Sequence, residues 1–315
     1  MSLIYHYCTL DTFVQVIKNK TIRMSDLNKT NDYLEKTWGK RFLYDTLCEE
    51  LEKNNIQMNL KEGYWYSDEA HTHLEQLQND IDRMLKHQTL ITCFSKDRDK
   101  LSQWRAYAND GSGIAIGFDL NYLRKMVKNS QNFYIGEVVY KKDKQKKIIR
   151  EEVYAPAFQY MKNFFQHDMV RVYGDFNTYF VEEFDIFCEI QDNSEQIFCF
   201  LKNPAFEEEH EVRMVYNTGI YEDIEMEELK KLMLVPHEFG KGKKKLILKP
   251  MEVQLKGEKL VMYADLNFEH CIQDGIIKEI VIGPKAEITD HDIQQLLCVN
   301  GFDDIIIRKS DASYQ

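Results

Sequence analysis

The sequence has little of what marks secreted, zinc-binding or membrane proteins. Its 315 residues include only 5 Pro and 7 Cys, and the cysteines stand singly, without CxxC pairs or the Cys and His spacing of a zinc site. We therefore expect reduced cysteines and no bound metal. No stretch reaches the ~20 consecutive apolar residues that span a bilayer, and the first residues lack a signal-peptide pattern. These absences predict a cytoplasmic protein without a membrane partner.

An excess of acidic residues restricts the partners further. The chain has 41 Lys and Arg against 52 Asp and Glu, a formal net charge of −11, whereas gripping a nucleic-acid backbone requires cations. Two lysine-rich runs, at 141–147 and 241–245, are not interleaved with aromatic residues that could stack on bases. The sequence thus argues against a broad nucleic-acid-binding surface. A small molecule or nucleotide stays open as ligand, and a protein partner is undetermined.

Hydrophobic periodicity predicts an α+β fold with a mixed β-sheet core. No Pro- or Gly-rich linker divides the chain, so we expect one domain over residues 1–315, with a mostly helical insertion at 121–202 that contains one strand. The other predicted strands are Leu3–Cys8, Thr21–Ser25, Thr89–Ser95, Gly113–Phe118, Val212–Tyr216, Lys245–Leu248, Glu252–Leu255, Lys259–Tyr263, Ile276–Ile282 and Ile305–Arg308.

Glycines at 111, 113 and 117 suggest a nucleotide loop at first sight, but their context argues against it. A dinucleotide fingerprint follows a strand and opens a helix, whereas these glycines follow a predicted helix and lead into a strand. We expect instead a turn and a strand position where the backbone packs closely.

Two carboxylates and a guanidinium occur at alternate positions near residue 210. If Glu211 begins a strand, its side chain and that of Arg213 share one face, and Glu209 joins them if the strand extends that far. The cation can then keep a neighbouring carboxylate ionised. A solvated edge strand with a cross-strand ion pair is the alternative interpretation.

Several short motifs occur in order along the chain, and together they suggest a family. They are Tyr5-His6-Tyr7, Ile22-Arg23-Met24-Ser25, Asn31-Asp32 with Glu35, Cys93-Phe94-Ser95, Trp104 with Tyr107, Gly113-Ile-Ala-Ile-Gly-Phe118, Lys202, and Glu209-His-Glu211-Val-Arg213. With these motifs the chain resembles bacterial proteins that carry the domain of unknown function numbered 2971. One departure is Tyr33, where that family commonly has Pro. The resemblance implies no activity by itself.

Three of the motifs are also similar in order to those of the ADP-ribosyltransferase superfamily. In that superfamily a His or Arg lies on the first strand, a Ser follows an aromatic residue on a middle strand, and an ExE motif comes later. The resemblance implies that NAD is a substrate, for ADP-ribosyl transfer or hydrolysis, with no firm cofactor. Cleavage of the nicotinamide bond develops positive charge that a fixed carboxylate stabilises.

By this resemblance the catalytic residues are Glu211, Glu209, His6 and Ser95. Glu211 would hold the ribose and stabilise its charge, His6 would orient the nicotinamide ribose, and Ser95 would brace Glu211. Glu209 would position the acceptor. The candidate ligand-binding residues are Tyr7, Arg213, Trp104, Tyr107, Asn31 and Asp32.

Two other classes of function stay open. A Mg²⁺-dependent nuclease or phosphodiesterase would use the carboxylates of Asp32, Glu35, Glu209 and Glu211, although Arg213 stands where that class has Lys. A non-catalytic binding domain would use Trp104, Tyr107 and Arg213 as a recognition pocket. We predict that the strands carrying His6, Ser95 and Glu211 are neighbours facing one cleft. We also predict that Trp104 packs beneath Asn31 and Asp32.

Overall fold

The chain divides into two compact units, which we name the sheet unit and the helical unit. In the computed structural model, residues 2–29, 35–53, 88–156, 194, 197–220 and 224–314 are described. Of these, the sheet unit contains residues 2–29, 88–138, 205–220 and 224–314. The helical unit contains residues 35–53, 139–156, 194 and 197–204.

Among the described residues, twelve strands of the sheet unit form one mixed sheet. The strands are β1 (Leu3–Cys8), β2 (Thr21–Asp26), β3 (Thr89–Ser95), β4 (Ile114–Asp119), β5 (Phe133–Glu137), β6 (Glu211–Asn217), β7 (His237–Lys241), β8 (Lys244–Leu248), β9 (Glu252–Lys256), β10 (Lys259–Asn267), β11 (Ile277–Ile282) and β12 (Ile306–Lys309). Strands β11 and β12 are parallel, and the other pairs are antiparallel. The predicted α+β class and mixed sheet are confirmed.

Seven helices are described. They are α1 (Leu10–Asn19), α2 (Glu35–Lys53), α3 (Leu101–Tyr107), α4 (Leu120–Val127), α5 (Lys142–Ile148), α6 (Met226–Leu234) and α7 (Asp290–Val299). Three of them, α1, α4 and α7, begin after a residue whose side chain accepts a hydrogen bond from a free backbone N–H. Thr9 caps α1 by accepting a hydrogen bond from the Thr12 N–H. Thr289 and Asp292 form a reciprocal capping box at the start of α7.

Strand β3 is a branch point of the sheet. One of its edges pairs with β6 from Thr89 to Ser95. The opposite edge pairs with β1 at Ser95 and with β2 at Leu90 and Ile91, so β1 and β2 diverge along it. Strand β1 continues to β4, β11 and β12, while β2 continues to β10.

The two faces of the sheet differ in chemistry. Apolar side chains of β1, β3, β4, β6 and β11 form the main core on one face with buried residues of α1, α4 and α7. The other face carries α3 and a smaller cluster of Tyr5, Tyr7, Trp104, Ala108, Ala115 and Val281. This second face also carries polar residues of the predicted site, because side chains alternate along each strand.

The helical unit is held by ion pairs between α2 and α5. Lys146 donates to Glu49 at 2.7 Å and Arg150 donates to Glu50 at 2.6 Å, with Arg150 in a π-helical continuation of α5, Ile149–Tyr154. Residues 121–138, which the sequence analysis placed in the helical insertion, contribute α4 and β5 to the sheet unit.

Candidate functional site

A row of directly facing residues crosses five strands on the face that carries α3. Glu279 pairs with Gly117, Gly117 with Tyr5, Tyr5 with Ser95, and Ser95 with Glu211. Residues directly opposite one another project to the same face of a sheet. The prediction that the strands of these three motifs are neighbours is therefore confirmed.

His6 lies on the opposite face from this row. Its ring packs edge-on against Phe94, with ring centroids 5.8 Å apart, and its Nδ1 lies 3.0 Å from the Cys93 carbonyl oxygen. Because that oxygen only accepts, Nδ1 carries the proton. Burial lowers the pKa of His6 below its usual value. The prediction that His6 and Glu211 face one cleft is wrong, since Tyr5, not His6, has the strand position that faces Glu211.

His6 instead helps to close the gap where β1 and β2 diverge. Its bond to Cys93 joins β1 to β3, and the Thr92 hydroxyl donates to the Arg23 carbonyl at 2.7 Å, joining β3 to β2. These two side chains satisfy backbone carbonyls that ladder pairing does not reach at the branch.

Glu211 and Arg213 form a buried, bidentate ion pair. Arg213 Nε donates to Glu211 Oε1 at 2.7 Å and its second nitrogen donates to Oε2 at 3.0 Å. The Glu211 side chain is only 5% exposed and the Arg213 side chain only 1%. Both lie on β6, so the predicted sharing of one strand face is confirmed, and the alternative of a solvated edge strand is wrong.

Ser95 and Glu209 meet through the backbone rather than as predicted. The Ser95 hydroxyl donates to the Glu209 carbonyl at 2.8 Å and accepts from the Asp97 N–H at 3.2 Å. A serine hydroxyl has one proton to donate, so Ser95 does not brace the Glu211 carboxylate in this arrangement. Glu209 ends a 3₁₀ turn, Pro204–Glu209, and His210 has a φ of +43°. Because of this kink, β6 begins only at Glu211 and does not include Glu209. The Glu209 carboxylate instead accepts a hydrogen bond from the Tyr107 hydroxyl at 3.0 Å.

Trp104 and Tyr7 anchor α3 to the sheet. The fully buried Trp104 ring packs edge-on against Tyr7 at a centroid distance of 4.7 Å. The Tyr7 hydroxyl donates to the Asp97 carbonyl at 2.8 Å and accepts from the Lys100 N–H at 3.1 Å. Asn31 and Asp32, beneath which Trp104 was expected to pack, lie outside the described residues.

Asp99 is a hydrogen-bond centre that the sequence analysis missed. Its carboxylate accepts from Trp104 Nε1, from the Ser310 hydroxyl and from the Asp311 N–H, each at 2.6 Å. Burial alone would raise the pKa of Asp99, but hydrogen bonds from Ser310, Trp104 and Asp311 together hold it below its usual value. The polar run at 97–100 after β3 is a sequence signal that could have indicated Asp99. No sequence signal indicates its contact with residues 310 and 311, because those residues are distant in the chain.

A second missed contact extends the row toward β12. The Tyr5 hydroxyl donates to Glu279 at 2.7 Å, and Arg308 donates to the same carboxylate at 2.6 Å. Burial and the hydrogen bond to Glu279 raise the pKa of Tyr5. A Cβ atom at Gly117 would lie 3.1 Å from both Tyr5 Cε1 and Glu279 Cβ. Gly117 therefore lets the tyrosine ring cross β4, which confirms the close packing expected at this glycine.

An open depression of about 620 Å³ lies beside α3. It is lined by Lys100, Leu101, Ser102, Arg105, Ala106 and Glu208. The Ser102 hydroxyl is buried and has no hydrogen-bond partner in the part of the chain that is described. Lys100 lies 3.9 Å from Asp97, and Arg105 lies 4.6 Å from the centre of the Tyr314 ring. The depression thus presents two cations and one anion, and a buried hydroxyl lies behind its lining.

The described carboxylates give no metal centre. Within residues 2–29, 35–53, 88–156, 194, 197–220 and 224–314, no three His, Cys, Asp or Glu side chains are grouped to hold an ion. Asp32 and the side chain of Glu35, which the nuclease alternative requires, are not described. Over the same part of the chain, no helix has the length and apolar character needed to cross a membrane.

Comparison with known proteins finds a similarity to one family of unknown function, over part of the chain. No curated protein and no solved structure matches the chain. The model of the family described as protein of unknown function (DUF2971) matches residues 103–214. The matched range includes Trp104 and Tyr107 of α3 as well as Glu211 and Arg213 of β6. This match confirms the resemblance predicted from the motifs over residues 103–214, about a third of the chain.

Proposed function

We propose that this protein binds a small anionic ligand, of the phosphate- or nucleotide-bearing class, in the depression beside α3. The observation that carries the proposal is the placement of the Lys100 and Arg105 cations around one open volume of about 620 Å³. That volume lies within the range of small-molecule sites. Guanidinium and ammonium groups donate hydrogen bonds that phosphate oxygens accept.

The support beneath the depression is suited to binding because it is held in place before a ligand arrives. Trp104 anchors α3 through the Tyr7 ring and through its bond to Asp99. The Tyr107 hydroxyl joins the end of α3 to Glu209, next to Glu208 on the rim. A site whose backbone is already ordered loses less conformational entropy when it binds.

The test measures binding of inorganic phosphate, AMP and NAD by thermal shift and calorimetry. A ligand that binds only the folded state stabilises it by RT ln(1 + [L]/Kd), so at least one of these anions should raise the melting temperature. The double variant Lys100→Gln, Arg105→Gln should lose at least tenfold in affinity. The control Arg124→Gln removes an exposed cation from α4, which packs on the other face, and should bind like the wild type.

Two results would reject the proposal. One is a wild type that none of the three anions stabilises. The other is a Lys100→Gln, Arg105→Gln variant that folds normally and binds as tightly as Arg124→Gln.

ADP-ribosyl transfer or NAD hydrolysis is a second candidate, favoured by one observation. Ser95 and Glu211 face each other on neighbouring strands, as they would have to do if both belong to one site. For this chemistry the Glu211 carboxylate would stabilise the positive charge that develops on the ribose, and it would have to do so while bonded to Arg213.

An assay of nicotinamide release from NAD distinguishes the binding proposal from the enzymatic candidate. If the second is correct, the wild type releases nicotinamide from NAD, and Glu211→Gln abolishes release while keeping the NAD-dependent rise in melting temperature. Glu137→Gln, which changes an exposed carboxylate on β5, should leave release unchanged. NAD binding without any nicotinamide release would contradict the second candidate and leave the binding proposal standing.

A further inference from the structure

Strand β9 is an exposed edge of the sheet. Among the described strands it pairs with β10 alone, and four of its five residues are exposed, with Gln254 half-buried. Two of the exposed residues are apolar: Val253 is 51% and Leu255 is 71% exposed. Leu260, which faces Leu255 from β10, is 68% exposed. Unpaired edges that carry apolar side chains are templates for pairing with another chain.

The sequence of β9 is complementary to itself in the antiparallel direction. Its five residues read Glu-Val-Gln-Leu-Lys. When a second copy is laid antiparallel about Gln254, each Glu252 meets the other copy's Lys256, and each Val253 meets the other copy's Leu255. We propose that two copies of this chain pair through β9, with a twofold axis at Gln254.

The free backbone N–H and C=O groups of β9 point in the directions that this pairing needs. Strands β9 and β10 are joined by two residues, Gly257 and Glu258, and Gly257 has a φ of +60°, which is typical of a tight hairpin turn. Such a turn is closed by a hydrogen-bonded pair, here Lys256 with Lys259, and bonded pairs then alternate along the ladder. The N–H and C=O groups of Leu255 and Val253 therefore point away from β10. In the proposed register, these groups form two hydrogen-bonded pairs across the twofold axis.

The same register also brings apolar side chains, and opposite charges, of the two copies into contact. Leu260 and Leu255 of one copy would continue into Val253 and Met262 of the other, which makes one apolar row across four strands. Within one chain, Lys256 faces Lys259, and like charges directly opposite each other are destabilising. The second copy would bring Glu252 next to Lys256 and offset that repulsion.

Self-association is tested by sedimentation velocity over a concentration series at low ionic strength. The wild type should shift toward a species of twice the mass as concentration rises, with no added ligand. Leu255→Pro should abolish the shift, because it removes an outward N–H that the hairpin itself does not use. Far-UV circular dichroism should show that this variant keeps the wild-type fold.

A charge exchange provides a second test that does not depend on proline. Glu252→Lys should weaken association at least tenfold because it places lysines opposite each other at both ends of the paired strands. The double variant Glu252→Lys, Lys256→Glu restores opposite charges and should recover the dimer. Failure of the double variant to recover it, while both variants stay folded, would contradict the proposed register.

Cross-linking tests the position of the twofold axis. Gln254 of one copy would face Gln254 of the other at a Cα separation of about 4.5 Å, a distance that allows a disulfide between cysteines at this position. Gln254→Cys should form a covalent dimer under mild oxidation, whereas Glu258→Cys, in the turn beyond the paired residues, should not exceed the wild-type level. Equal cross-linking of the two variants would overturn the register. A wild type that remains monomeric at its highest soluble concentration would overturn the proposal as a whole.

Discussion

The Glu211–Arg213 pair offers the most direct test of how this site is built. Its two hydrogen bonds, of 2.7 and 3.0 Å, join side chains that are at most 5% exposed. Glu211→Ala would leave the guanidinium buried without this carboxylate, and breaking such a pair from one side costs about 3–5 kcal/mol of unfolding free energy. The pair Lys96–Glu137 is a matched control on the surface, with side chains 44% and 51% exposed. Glu137→Ala should cost about 0–1 kcal/mol.

The assay is urea unfolding at neutral pH, followed by circular dichroism and by tryptophan fluorescence, to which the buried Trp104 contributes with the two other tryptophans. Replacing both partners by apolar residues, as in Glu211→Leu, Arg213→Met, should recover much of the loss because no charge is then left buried. If Glu211→Ala lowers the unfolding free energy no more than Glu137→Ala does, the buried ion pair does not stabilise the fold and the reasoning is refuted. A stable Glu211→Ala that loses only ligand binding or NAD cleavage would assign the residue to the ligand instead.

Two further predictions concern packing and pH. Gly113→Ala should lower the unfolding free energy by about 1–3 kcal/mol or more, because the new Cβ would lie 2.2 Å from the Cys8 carbonyl oxygen; wild-type stability in urea would contradict this close approach. Burial lowers the pKa of His6 below the ordinary 6.5, so the unfolded state binds more protons and stability falls as pH drops below about 6.5. His6→Asn should lose less stability than the wild type between about pH 7 and pH 5; identical losses would show that His6 is not the group responsible.

Most of the sheet could be predicted from local patterns. The predicted strands Leu3–Cys8 and Thr89–Ser95 match β1 and β3 at both ends, because each combines β-branched, aromatic or other apolar residues with a polar break on either side. The helix predicted before the glycines at 111 and 113 is present as α3, which carries Trp104 and Tyr107.

Strand β7 and helix α6 were missed. Strand β7 has one apolar residue, Phe239, and so lacks the alternation that predicts a strand. Helix α6 carries Met226, Leu229 and Met233 at helical spacing, so its sequence held a signal that the prediction did not use.

The sequence by itself determined the fold class, the family motifs and the sharing of one strand face by Glu211 and Arg213, since the period of two is local. Only the tertiary structure decided which faces meet. The register of β1 against β3 placed Tyr5 in the row with Ser95 and Glu211 and turned His6 toward the core. The left-handed backbone of His210 separated Glu209 from that row. Asp99 became a hydrogen-bond centre only when folding brought residues 310 and 311 against it, because local periodicity carries no information about pairing between distant segments.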